Sequence, residues 1–267
     1  PEIKRAHEDY VLNVLKIRGI THFFSSEFYG EHMSRALKAV DRVVDADRAA
    51  VPVSGTTVRE DPFACRRYID PLVYRDLIVN VAFLGAPSTG KTTLAERLAA
   101  EHETVWMPEY GREFWERKHV NRRLTLDQLV EIAEEHLRRE DELLLQANRY
   151  LFTDTNAITT YMFSLYYHGM AAPRLAQLAD QVVHRYDLMF VCDSDIPYDN
   201  TWDRSGDANR QVFQKQVVAD LLVRRLPFFV LRGSVDDRVE MVGRVLARFQ
   251  KYMNLTDLGM TQTPLLR

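Results

Sequence analysis

The chain has 267 residues, long enough for one large domain or two smaller ones with a real core. Its 46% hydrophobic and 27% charged residues are ordinary for a soluble globular protein. The net charge of −3 gives no electrostatic ground for nucleic acid as a partner, and no apolar run approaches the ~20 residues of a membrane span.

In chain order, the first nine residues are too charged for a secretory signal. Residues 10–16 are expected to be helical, 20–25 a strand, and 32–40 a second helix. A polar stretch follows that contains Val53-Ser54-Gly55-Thr56-Thr57-Val58-Arg59. This block, 1–76, has few strands for a stable core and reads as part of a domain. From residue 77 onward strands alternate with helices. The run 77–84 reads as a buried strand, 94–100 as a helix, and further strands are expected at 104–107, 150–153, 188–192 and 227–231. The longest helix is expected over about 126–148. There Leu129, Ile132, Ala133, His136 and Leu137 recur at helical spacing, and Thr125 with Gln128 forms a capping box at its start. Another helix is expected over 211–225. Alternation of this kind over 77–254 argues for an α/β fold, a five-stranded parallel sheet covered on both faces. Residues 255–267 read as a surface arm or partly disordered tail. Cys65 and Cys192 lie far apart with no C-x-x-C, so neither zinc nor a disulfide framework is indicated and a reducing, cytoplasmic setting is expected.

The loop Gly85-Ala86-Pro87-Ser88-Thr89-Gly90-Lys91-Thr92-Thr93 matches G-x-x-x-x-G-K-[ST], with a strand before it and a helix after it. Backbone N–H groups of Gly85, Ser88, Thr89, Gly90 and Thr93 can converge there on phosphate at a helix N-terminus, where the dipole also favours an anion. Lys91 is expected to reach the β- and γ-phosphates of ATP, and the Thr92 hydroxyl to ligate Mg²⁺. Asp154, at the end of the third strand, stands where a carboxylate holds Mg²⁺, directly or through water, beside the loop threonine; capping the next helix is its plainer alternative. Glu109 follows the second strand in Pro108-Glu109-Tyr110-Gly111-Arg112-Glu113. It is expected to face the γ-phosphate and accept the proton of a substrate hydroxyl, a role for which Asp154 also competes. A salt bridge of Glu109 to Arg112 is the plainer alternative. Tyr110 and Trp115 offer flat faces to an aromatic or cationic ring. Arg204 and Arg210 lie between the fourth strand and a helix, where a lid would stabilise the transferring phosphoryl group. Gly233 and Arg238 are candidates to flank the adenine. Asp193 and Asp195 either orient substrate ribose or cap the turn before Pro197.

Together these segments resemble the ribosylnicotinamide kinase domain of the NadR family. The matching pieces are Gly85 to Thr92, Pro108 to Glu113, Asp154-Thr155-Asn156 and Cys192-Asp193-Ser194-Asp195-Ile196-Pro197, with Arg204, Arg210 and Gly233 in the expected order. The match spans roughly 77–249. It implies transfer of the ATP γ-phosphate to the 5′-hydroxyl of nicotinamide riboside, giving nicotinamide mononucleotide. Where the family has a shorter run before the arginine, this chain carries Tyr198 to Asp203, which leaves the alignment of Asp199 and Asp203 open. The block 1–76 resembles the later part of the family's nucleotidyltransferase domain, a Rossmann fold. Ser54-Gly55-Thr56-Thr57-Val58-Arg59 resembles its I-S-G-T-x-I-R signature, which implies that Ser54, Thr57 and Arg59 hold a second nucleotide. The H-x-G-H motif of that activity is absent from these residues, so no adenylyl transfer is expected from this chain alone.

Two other readings remain at this stage. One is a deoxynucleoside or nucleotide kinase on the same fold, the other an ATP-binding sensor of nicotinamide nucleotides without turnover. A homo-oligomer is left open.

Overall fold

The structure is a computed structural model that describes residues 2–27, 30–118, 124–197 and 207–252. Two compact units divide it, one holding Pro1–Tyr68 and the other Ile69–Lys251.

In the first unit, α1 (Glu2–Asp9) runs into a π-helical turn at Tyr10–Val14. Then β1 (His22–Ser25), α2 (Gly30–Leu37) and β2 (Val40–Val43) form a β-α-β unit. Its strands are parallel, with His22 opposite Val40 and Ser25 opposite Val43. Val40 was expected to end a helix and instead opens β2. Lys38, at φ +56°, breaks α2 first, and β-branched Val40, Val43 and Val44 suit an extended chain. The polar stretch folds as α3 (Gly55–Glu60), capped by Ser54, whose hydroxyl accepts the Thr57 N–H at 3.0 Å.

The second unit starts with α4 (Pro71–Leu77), a helix the periodicity did not mark. Asp70 caps it by accepting the Leu72 N–H at 2.9 Å, and Pro71 sits in its first turn, where a missing N–H is harmless. Leu77 therefore closes a helix instead of opening the strand. There follow β3 (Val79–Leu84), α5 (Lys91–Glu101), β4 (Trp106–Met107), α6 (Tyr110–Lys118) and α7 (Leu126–Leu144). Next come β5 (Tyr150–Asp154), α8 (Ala157–His168), α9 (Pro173–Gln181) and β6 (Leu188–Cys192). The unit ends with α10 (Asp207–Val223), β7 (Phe229–Leu231) and α11 (Val235–Leu246). The capping box at Thr125 and Gln128 is formed.

All five strands are parallel, in the order β4-β5-β3-β6-β7. Strand β3 is central and alternates strictly. Ala82 and Leu84 pack under α6 to α10, while Val79, Val81 and Phe83 face α5 and α11. On the latter face Phe152, Phe83, Phe190 and Phe229 stack across four strands, with successive centroids 6.2, 5.8 and 5.4 Å apart. Each such pair adds about 0.5–1.5 kcal/mol to the area it buries. This rigid layer brings the carboxyl ends of β3, β4, β5 and β6 to one edge, where ligands of such sheets collect. Among the described residues no helix is long and apolar enough to cross a membrane.

Candidate active site

The loop after β3 turns at Gly85 and enters α5 at Gly90, both with positive φ (+137° and +80°). At Gly85 the backbone is also crowded: a Cβ there would lie 2.6 Å from the Cys192 carbonyl oxygen. Gly85→Ala is expected to destabilise the protein by about 2–3 kcal/mol, read as a lower urea midpoint. Within the loop the Thr89 hydroxyl donates to Ala86 O at 2.8 Å. Lys91 is almost wholly buried, and its ammonium donates to the carbonyls of Gly85 (3.1 Å) and Ala86 (2.8 Å).

Three buried side chains hold the loop from below. Gln214 accepts the Ala86 N–H through Oε1 at 2.7 Å and donates through Nε2 to Cys192 O at 3.0 Å. Arg238 donates to Thr89 O (2.6 Å), Gly233 O (3.1 Å) and Asp193 O (3.2 Å). Arg210 donates to Ser194 O (2.7 Å), Ile196 O (2.8 Å) and Ser88 O (3.3 Å).

These positions differ from the sequence reading. Arg210, read as a lid residue, is 3% exposed and fastens the phosphate loop to the segment after β6. Arg238, read beside the adenine, is 2% exposed and does similar work from α11. Asp193 and Asp195 line neither cavity described below. Asp193 accepts from the Ser194 N–H and from Arg232 Nε, both at 2.8 Å. Partial burial resists its ionisation, but Arg232 and that N–H outweigh the effect and lower its pKa. Asp195 accepts the Gly233 N–H at 2.6 Å and pairs with Arg238. The two carboxylates tie the loop after β6 to the turn after β7. Gly233 has φ +85° and precedes the Ser234–Asp237 capping box of α11. Arg204, Asp199 and Asp203 lie outside the described residues.

Asp154 closes β5 in full burial, and its Oδ2 accepts the Thr92 hydroxyl at 2.5 Å. Oδ1 is buried too and has no hydrogen-bond partner. Burial raises the carboxyl pKa, while Lys91, the Thr92 hydroxyl and Arg112 pull it back. A carboxylate oxygen so placed beside a threonine hydroxyl offers hard oxygen donors to a divalent cation. Among the described residues no cluster of three or more His, Cys, Asp or Glu forms a closed metal cage. Capping of α8 falls to Asn156, which accepts the Ile158 N–H at 3.0 Å.

Two cavities meet at this edge. The first runs along the phosphate loop from Gly85 to Thr93 and is closed by Glu109, Arg112, Thr159, Phe163, Ile196 and Pro197. The second penetrates between α6, α7 and α8 and is lined mainly by Trp115, Leu124, Leu129, Ile132, Phe163 and Tyr167, with His136 among them. Glu109, Thr159 and Phe163 line both. Tyr110 lines neither: its ring packs edge-on against Phe114 and lies under the Arg139 guanidinium at 4.1 Å. The sequence reading missed Gln214 and the α8 wall. Thr159, Phe163 and Tyr167, spaced four apart, were the available signal for the latter. Ser54, Thr57 and Arg59 stand together at the start of α3 in the first unit. There the Ser54 and Thr57 hydroxyls are 2.8 Å apart and Arg59 donates to Thr56 at 3.3 Å.

The AAA-domain family model matches residues 80–238. The chain is 30% identical over 218 residues to the trifunctional NAD biosynthesis/regulator protein NadR of Salmonella typhimurium, covering 76% of this chain and 52% of that protein. With the Escherichia coli protein of the same name it shares 30% over 195 residues, 70% of this chain and 46% of the relative. It thus spans about half the length of the curated relatives it matches. A crystal structure of NadR with NAD and AMP-PNP shares the fold at TM-score 0.57 and 22% identity, covering 83% of this chain and 67% of that one. A NadR structure with NR does so at TM-score 0.58 and 22% identity, covering 90% and 73%.

Proposed function

Because the chain belongs to the NadR family, we propose that its second unit phosphorylates the 5′-hydroxyl of nicotinamide riboside with ATP to give nicotinamide mononucleotide. The meeting of the two cavities at Glu109 supports this best. A phosphate-loop cavity on one side and an aromatic chamber on the other put a carboxylate between donor and acceptor. The chamber suits a pyridinium ribosyl group. Trp115, Phe163 and Tyr167 supply faces, Glu109 supplies negative charge, and no Asn or Gln is among the described residues that line it. A purine or pyrimidine pocket would use such amides to read base edges.

In this mechanism the loop N–H groups and the start of α5 hold the triphosphate, with Lys91 transferring its ammonium from the loop carbonyls to phosphate oxygens. Glu109 orients the 5′-hydroxyl and accepts its proton as the oxygen attacks the γ-phosphorus. Arg112, half exposed in the same cavity, adds positive charge beside the phosphoryl group, and Arg204 is proposed to act with it. Arg210, Gln214 and Arg238 keep the loop in shape. Thr92 and Asp154 would hold Mg²⁺, which neutralises charge on the β- and γ-phosphates when bound. In the first unit, Ser54, Thr57 and Arg59 are proposed to bind a second nucleotide, with no adenylyl transfer by this chain alone. The cytoplasm is the proposed setting, in keeping with Cys65 and Cys192, which are both free and buried.

The test is ADP release from Mg-ATP with nicotinamide riboside, thymidine or deoxyadenosine. Turnover confined to the riboside is expected. Turnover of a deoxynucleoside but not of the riboside would overturn the reading, and tight ATP binding with no turnover would support the sensor instead.

A further inference from the structure

The inner part of the aromatic chamber holds a polar group that the phosphoryl transfer does not use. His136, near the middle of α7, lines the chamber and is 4% exposed. Its Nε2 is buried without a hydrogen-bond partner. Oε2 of Glu140, one turn along α7, stands 3.8 Å from it, beyond hydrogen-bond reach. Glu140 is fully buried, and its charge is held by Asn80 (2.8 Å), Arg185 (2.6 Å) and the Tyr186 hydroxyl (2.7 Å). Burial lowers the His136 pKa to about 4 against the pull of Glu140, and Arg185 and Arg139 lower it further. The imidazole is therefore neutral near pH 7, with one nitrogen a donor and the other an acceptor. The Glu140 charge favours the proton on Nε2, which leaves Nδ1 as the acceptor. A neutral imidazole in a chamber walled by Leu129, Ile132 and Phe163 is a polar group with which a ligand bound there can pair.

Resting on the reading of this chamber as the acceptor site, we propose that His136 distinguishes a ring carboxamide from a ring carboxylate. Nδ1 accepts a hydrogen bond from the carboxamide N–H of nicotinamide riboside. The pyridine-3-carboxylate riboside has no N–H to give, and its carboxylate oxygens would face the Nδ1 lone pair instead. This makes His136 a specificity residue, apart from the groups that act on the phosphoryl transfer.

The test measures kcat/KM for both ribosides with saturating Mg-ATP, in wild type, His136→Leu and His136→Gln. Wild type is expected to favour the amide by on the order of 100-fold. His136→Leu is expected to reduce that preference below about tenfold, through a higher KM for the amide and an unchanged KM for ATP. His136→Gln, which keeps an acceptor oxygen, is expected to retain most of it. A wild-type ratio near one overturns the inference without any variant. So does a His136→Leu enzyme that keeps the full preference. Failure of wild type to phosphorylate either riboside while turning over a deoxynucleoside overturns the acceptor reading itself, and the wild-type assay alone separates that result from the other two.

Discussion

Lys91→Ala is expected to lower kcat for riboside phosphorylation by on the order of 10³-fold, with a much smaller change in ATP affinity. The difference follows from what remains. The ammonium of Lys91 rests on the carbonyls of Gly85 and Ala86, so its charge is already held at the point where the β- and γ-phosphates are proposed to lie. The loop itself keeps its shape without it, because Gln214 grips the Ala86 N–H and Arg238 grips the Thr89 carbonyl. The other loop N–H groups and the α5 N-terminus still bind a triphosphate. What is lost is a positive charge that follows the phosphoryl group as its oxygens gain charge, and that loss falls on kcat. Steady-state kinetics with an independent ATP-binding titration check this. A variant with more than about a tenth of wild-type kcat would remove Lys91 from the chemistry.

The same loop explains how far the sequence was legible. Gly85, Gly90, Lys91 and Thr92 announce themselves because their task is set by local geometry, a strand, a tight turn and a helix start within ten residues. Asp154 and Glu109 are legible because a parallel sheet delivers the residues after its strands to one edge. The undersides of such loops are not legible in this way. Arg210 and Arg238 are cations near phosphate in sequence order, which reads as substrate contact. In the fold both aim at backbone carbonyls, because a turn with inward-pointing oxygens needs buried donors. Gln214 gave no local signal, since its partners lie 128 and 22 residues away. Tyr110 and Trp115 looked alike in sequence. Five positions apart on α6, they part company: Trp115 enters the chamber and Tyr110 packs under Arg139. His136 fitted a core position by periodicity and is indeed buried. Only the packing of α8 against α7 makes that buried face the wall of a cavity.

Replacing each of the two candidate carboxylates should separate their roles. Glu109→Gln is expected to lower kcat by about 10²- to 10⁴-fold, the range for a lost general base, with the Mg²⁺ requirement unchanged. Asp154→Asn is expected to lower kcat as severely, but to raise the Mg²⁺ concentration for half-maximal rate by at least about tenfold. A third measurement comes from the ligand-free proteins. Burial raises the Asp154 pKa, so the folded state disfavours its charge. Stability linked to this group is greatest at low pH and falls as pH rises through the folded-state pKa. That penalty grows as pH rises, and the unpartnered Oδ1 is its structural mark. Asp154→Asn, neutral and still able to accept the Thr92 hydroxyl, is therefore expected to melt at a higher temperature than wild type without nucleotide and metal. Glu109→Gln has no such gain to make, because Glu109 lies at the junction of two cavities and not in a closed core. Loss of activity in Asp154→Asn with an unchanged Mg²⁺ requirement would move Asp154 into the role of base. Retained activity in Glu109→Gln would take Glu109 out of it.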